Sequence, residues 1–164
     1  MNIILAGMPG CGKSTVAAKL ASVCGYTVVD TDELIVREYG EISKIFEEYG
    51  EPYFRSLEHE VIKKIGNTGN KIIATGGGCI LNDENVKLLK AGGKIIYLKT
   101  SIEVLAERLK GDTARPLLKG DIEGKLKRLC EARTAIYENI ADITVATDGR
   151  SIDEIVKEIL EKMK

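Results

Sequence analysis

The stretch Gly7-Met8-Pro9-Gly10-Cys11-Gly12-Lys13-Ser14-Thr15 constrains this chain more than any other. It fits G-x-x-x-x-G-K-[ST], a loop that wraps phosphate. Glycine lets the backbone turn sharply and lay its N–H groups against phosphate oxygens. Lys13 supplies a point charge for the β- and γ-phosphates, and Ser14 offers a hydroxyl to Mg²⁺. Asn2 to Ala6 ahead of the loop is apolar and rich in β-branched residues, as in a buried parallel strand. Behind it, Val16, Ala17, Leu20 and Ala21 recur at helical spacing, so a helix N-terminus points its positive end at the same anion. A glycine turn that merely joins strand to helix is the plainer alternative. The order strand, loop, helix favours phosphate binding.

With 164 residues, 44% of them apolar, the chain suits one domain with one core. Lys and Arg total 24 against 25 Asp and Glu, a net charge of −1 that gives no general attraction to nucleic acid or an anionic membrane. Basic residues therefore act locally. No apolar run approaches the ~20 residues of a membrane span, and no basic leader precedes the first strand. Cys11, Cys24, Cys79 and Cys130 show neither CxxC nor metal spacing, so reduced thiols and a cytoplasmic location are expected. Cys11 and Cys79 sit in glycine-rich loops, where a reactive thiol or a small space-filling residue would serve.

Further along, Tyr26 to Asp30 reads as a strand that ends in Asp30-Thr31-Asp32. Carboxylates at that position face the ligand side of an open α/β sheet. Either Asp30 or Thr31 could also cap the helix Glu33 to Tyr39. Glu41 to Glu48 reads as a short helix capped by Ser43, broken by Gly50-Glu51-Pro52. From Tyr53 to Ile65 a helix carries Phe54, Leu57, Val61, Ile62 and Ile65 on one stripe. Arg55 and Glu58 meet on its surface, an exposed pair worth ~0.5 kcal/mol. His59 reads as a solvated helix residue.

Lys71 to Thr75 is a third strand, ending in Gly76-Gly77-Gly78. That run suits close approach to the backbone better than a flexible turn. Helix Asn82 to Ala91, strand Lys94 to Leu98 and a Ser101-capped helix to about Leu109 follow. Residues 110–124 break the pattern. Their glycines, Pro116, Arg115 and Lys119 fit a lid carrying cations over phosphates. Helix Lys125 to Tyr137, strand Asp142 to Ala146 and a Ser151-capped helix complete the chain. Alternating strands and helices imply a parallel sheet covered on both faces, a three-layer α/β P-loop kinase fold.

The phosphate loop, Asp30-Thr31-Asp32, Gly50-Glu51 with Phe54-Arg55 and Glu58, Thr75-Gly76-Gly77-Gly78, Arg115-Pro116-Leu117-Leu118, and Arg133 with Tyr137 recur in one family. In this order and spacing the chain resembles the shikimate kinases over nearly its whole length. The resemblance implies a five-stranded parallel sheet in the order 2-3-1-4-5 with a lid. It implies a substrate-binding segment at about 31–62 and transfer of the ATP γ-phosphoryl group to the 3-hydroxyl of shikimate. It also implies Mg²⁺ at Ser14 and Asp30, and nucleotide contacts from Gly10, Cys11, Gly12, Lys13, Ser14, Thr15, Arg108, Arg115 and Arg150. Shikimate would meet Asp32, Arg55, Arg133, Glu58 and the glycines Gly76, Gly77 and Gly78, with Phe46 and Phe54 as walls. Lys13, Asp32 and Arg115 would be catalytic. Asp32 would orient or deprotonate the hydroxyl, and Arg115 would reach the transferring phosphate. The four-apolar-then-Asp pattern of most P-loop ATPases is missing, since Ile72-Ile73-Ala74-Thr75 runs into Gly76, and shikimate kinases share this departure. ATP and shikimate are the expected partners of a monomer. A kinase of another small metabolite such as gluconate, or a nucleotide-binding module without catalysis, is the competing reading.

Overall fold

The computed structural model describes residues 1–110 and 120–164. The elements follow as β1 (Asn2–Ala6), α1 (Lys13–Cys24), β2 (Thr27–Asp30), α2 (Thr31–Tyr39), α3 (Ile42–Tyr49), α4 (Glu51–Ile65) and β3 (Lys71–Ala74). A 3-10 turn (Cys79–Leu81), α5 (Asp83–Gly92), β4 (Gly93–Lys99), α6 (Ile102–Leu109), α7 (Ile122–Ile140), β5 (Ile143–Ala146) and α8 (Ile152–Met163) complete them. The strands form one parallel sheet in the order β2-β3-β1-β4-β5. The runs Ile3-Ile4-Leu5, Ile72-Ile73 and Ile95-Ile96 are buried because helices cover both faces. Among the described residues no helix is long and apolar enough to cross a membrane.

Chain order places the loops. β1 lies between β3 and β4, so the connections after β1 and β3 diverge at the carboxyl edge of the sheet, where such folds bind ligands. The phosphate loop, the Asp30 turn and the glycine run all leave the sheet on this edge. Tight backbone contact fixes the opposite edge. A Cβ on Gly93 would strike the Asn2 carbonyl, so the Gly92-Gly93 pair ends α5 and lets β4 lie beside β1.

Several boundaries differ from sequence expectation for local reasons. The expected break after α3 falls at Gly50, but Pro52 is not part of it. Pro52 sits in the first turn of α4, where its missing N–H costs nothing, and α4 begins at Glu51. Ser43 does not cap α3. Glu41 occupies the cap position without a side-chain bond, and Ser43 lies inside the helix. α7 starts at Ile122 rather than Lys125, because Asp121 Oδ1 accepts the Gly124 N–H at 3.1 Å and caps it. The stretch expected as a lid therefore gives way to helix after Asp121. Its centre, with Arg115, lies outside the described residues.

Candidate active site

The phosphate loop needs its glycines. Gly10 and Gly12 have φ of 82° and 96°, in the left-handed region, and Gly12 precedes the first turn of α1. Lys13 folds back: its Nζ donates to the carbonyls of Gly7 at 2.8 Å and Met8 at 3.1 Å. Gly10, Cys11, Gly12, Lys13, Ser14 and Thr15 line a cavity of about 490 Å³ with Arg108 and Arg150. Arg108 reaches it from α6 and donates to the Gly10 carbonyl at 3.0 Å. Arg150 is anchored by the Ala146 carbonyl at 2.8 Å and by Glu158 at 2.5 Å. All the described residues expected at the nucleotide therefore share one cavity. Cys11 is buried, in keeping with the space-filling reading.

At the end of β2, Asp30 is the residue that caps α2. Its Oδ1 accepts the N–H groups of Asp32 at 2.9 Å and Glu33 at 3.2 Å. Its Oδ2 accepts the Ser14 hydroxyl at 3.3 Å. Thr31 does different work: its buried hydroxyl oxygen accepts the Gly76 N–H at 2.9 Å and ties the Asp30 turn to the glycine run.

The glycine run is a platform for charge. A Cβ on Gly76 would stand 2.7 Å from Asp32 Oδ1 and 2.9 Å from Glu58 Oε2. One on Gly77 would stand 3.1 Å from Arg133 Nη1, and one on Gly78 would overlap the Arg55 guanidinium. Four charged side chains from α2, α4 and α7 thus press on three consecutive glycines. Arg133 is 4% exposed, and α7 brings its guanidinium to Gly77, next in the chain to the Gly78 that Arg55 covers.

The Arg55–Glu58 pair is not the surface pair that its spacing suggested. Its bond is 2.7 Å long and the Glu58 side chain is 1% exposed. Burial pushes the Glu58 carboxyl above the ordinary glutamate range, Arg55 opposes this, and the neighbouring Asp32 charge adds to it. Burial works against the Arg55 charge, but Glu58 and then Glu51, bonded at 3.1 Å, outweigh it and raise the guanidinium. Two buried atoms here, Arg55 Nε and Glu58 Oε2, lack a hydrogen-bond partner among the described residues. Phe54 is buried beneath Arg55, its ring centre 5.3 Å from Cζ, and Phe46 packs on it at 5.0 Å. Phe54 thus packs against both Arg55 and Phe46.

Asn85 escaped the sequence reading, as did the contacts of His59 and Tyr137. Asn85 is buried and donates to the Cys79 carbonyl at 3.0 Å, while its Oδ1 lies 2.7 Å from His59 Nδ1. His59 is thus half-buried and partnered, not simply solvated. Tyr137 is fully buried; its hydroxyl donates to the Gly7 carbonyl at 3.1 Å and to the Gly77 carbonyl. The bonds of His59 to Asn85 and of Tyr137 to Gly7 and Gly77 join distant segments, so spacing does not signal them.

A phosphate cradle beside a cationic, carboxylate-flanked platform on this sheet order defines a P-loop kinase of small molecules. The family model described as shikimate kinase matches residues 9–164. The chain belongs to the shikimate kinase family. It is 43% identical to the shikimate kinase of Persephonella marina over 164 residues, 99% of each chain. A solved structure titled shikimate kinase from Acinetobacter baumannii in complex with shikimate superposes with a TM-score of 0.95 at 35% identity, covering 99% of this chain and 92% of that one. A gluconokinase from Sinorhizobium meliloti 1021 covers 99% of this chain and 90% of its own with a TM-score of 0.65, but at 23% identity it speaks to the fold alone.

Proposed function

We propose that this protein transfers the γ-phosphoryl group of ATP to the 3-hydroxyl of shikimate, giving shikimate 3-phosphate and ADP on the route to chorismate and the aromatic amino acids. The observation that carries this reading is the convergence of Arg55 and Arg133 on Gly77 and Gly78 beside Asp32. A planar guanidinium fork matches a carboxylate, and shikimate carries one carboxylate and three hydroxyls. Arg55 and Arg133 hold the carboxylate, and the backbone of Gly76 to Gly78 lies under the ring. The buried, unmatched Glu58 Oε2 and Arg55 Nε suit a ligand rich in both donors and acceptors. Gluconate offers the same groups, but family membership favours shikimate.

Phosphoryl transfer asks for positioning and charge neutralisation more than covalent help. Lys13 leaves its loop carbonyls to meet the β- and γ-phosphates. Asp32 accepts the hydrogen bond of the 3-hydroxyl and takes its proton as the oxygen attacks phosphorus. Arg108 and Arg150 flank the adenine. Arg115, in the lid, neutralises the transferring group and helps exclude water, which would otherwise compete as acceptor.

The Ser14 hydroxyl and Asp30 Oδ2 face each other at 3.3 Å, a hard oxygen pair that fits Mg²⁺. Few protein ligands suit an ion that keeps several waters. When bound, Mg²⁺ supplies charge against the β- and γ-phosphate oxygens. One domain over residues 1–164, working as a cytoplasmic monomer on two small molecules, completes the reading. A net charge of −1 accords with such partners.

Titration with shikimate and with its methyl ester tests the carboxylate contact. Arg55→Lys and Arg133→Lys are each expected to weaken shikimate binding ~10–100-fold, because a charge-assisted bond is worth roughly 1.5–3 kcal/mol. ATP affinity should hold. If the ester binds the wild type as tightly as the acid, no carboxylate is read. If the variants lose ATP instead, both arginines belong to the nucleotide.

A further inference from the structure

Tyr137 stands between the two halves of the site. Its ring is fully buried and stacks on Tyr97 at 5.0 Å between centres, with an interplanar angle of 14°. Its hydroxyl reaches Gly7 at the entry to the phosphate loop and Gly77 in the substrate platform. A phenol has one proton to donate. The two carbonyls therefore share it, and a stronger bond to one is a weaker bond to the other. Arg133 also interacts with the phenol oxygen, and its Nη1 lies over Gly77.

The Gly7 carbonyl has a second donor, Lys13 Nζ at 2.8 Å. That donor is the group a bound phosphate draws away. Once Lys13 turns to phosphate, Tyr137 is the donor left to the buried Gly7 carbonyl among the described residues, and a buried acceptor without a donor is costly. The proton shifts toward Gly7 and its hold on Gly77 loosens. Gly77 belongs to the backbone beneath Arg133, so the platform registers whether the cradle is filled. By linkage, a ligand that fixes Gly77 changes the cradle in return.

We propose that Tyr137 is a positioning residue that couples the nucleotide cradle to the shikimate platform by sharing its one hydroxyl proton between the Gly7 and Gly77 carbonyls. Its hydroxyl is committed to the two backbone carbonyls and is assigned to neither substrate. The coupling rests on the shikimate reading above, and it concerns binding, so ADP serves as the nucleotide probe and no turnover is needed.

The test is the dissociation constant of shikimate measured with and without saturating ADP·Mg²⁺, in wild type and in Tyr137→Phe. Phenylalanine keeps the ring on Tyr97 and removes only the hydroxyl. In the wild type the two constants are expected to differ about fivefold or more, the low end of ordinary coupling between sites. In Tyr137→Phe they should converge to within about twofold. A merely structural role would weaken both constants together and leave their ratio alone. Equal constants in the wild type, or a wild-type ratio kept by Tyr137→Phe, would overturn the coupling while leaving shikimate as substrate. Absence of shikimate binding in the wild type would overturn both. Should Tyr137→Phe fail to fold, wild-type protein carrying ¹³C at glycine carbonyls answers the same question. ADP should move the Gly77 carbonyl resonance upfield as its hydrogen bond weakens, and an unmoved Gly77 resonance would overturn the proposal.

Discussion

The guanidinium of Arg55 occupies the space in which a Cβ on Gly78 would stand. Gly78 has a φ of −95°, which any residue adopts, so its glycine is required by the neighbour and not by the backbone. Gly78→Ala should therefore fold, because the obstructing atoms end a flexible side chain. It should push Arg55 off the platform and raise the KM for shikimate ~10–100-fold, the worth of a charge-assisted contact, with the KM for ATP near wild type. Steady-state kinetics against each substrate check this. An unchanged shikimate KM would mean that Arg55 need not lie on Gly78.

Glu58→Gln should separate stability from function. The folded carboxyl titrates above its ordinary value, with burial as the main cause. Between the ordinary and the raised value the folded protein holds a proton that the unfolded chain has released. Stability then falls as pH rises through that window. The amide removes this fall, and Arg55 keeps Glu51 as a partner, so no lone buried charge is left. The variant should match or exceed wild-type thermal stability at neutral pH, yet bind shikimate less well because Arg55 loses its 2.7 Å anchor. Thermal unfolding across pH 4–8 with parallel shikimate titration reads both effects. A large loss of stability at neutral pH would show that the ionised pair holds the fold.

Much of this site can be read from residue order, and the reason is local. The phosphate loop, the Asp30 turn and the glycine run each announce themselves within a few residues, because each answers a backbone demand at the end of one strand. Expected strand limits agree with β1 to β5 to about one residue at either end. Pro52 and Ser43 misled, since a proline in a first turn and a serine inside a helix look like a break and a cap. What could not be read is the burial of Glu58, set by α2 and the glycine run closing over α4. Nor could the reach of Tyr137: on its own helix it is one more apolar position, and its partners lie 130 and 60 residues away.

Asp32→Asn should abolish transfer and leave nucleotide binding intact. The amide keeps the shape and one acceptor but cannot take a proton. A general base contributes about 10²–10⁴-fold, and the loss should fall on kcat. Single-turnover phosphoryl transfer, with ADP titration as the binding control, measures it. Full activity would exclude Asp32 as base and as charge.

Lys13→Met should fold normally, since among the described residues the Lys13 side chain bonds loop carbonyls and the Cys11 thiol. Its turnover should fall steeply, because the charge acts on phosphate oxygens in the transition state. Near-normal turnover with ATP would contradict the reading of the cradle.

The most direct measurement is ADP release by the wild-type protein with ATP and Mg²⁺, offered shikimate, gluconate or nucleoside monophosphates in separate reactions. Substrate-dependent ADP release is expected with shikimate and not with the others, accompanied by shikimate phosphorylated at its 3-hydroxyl. Release driven by gluconate or a nucleotide, with shikimate inert, would contradict the assignment of Arg55, Arg133 and Asp32 to a shikimate site.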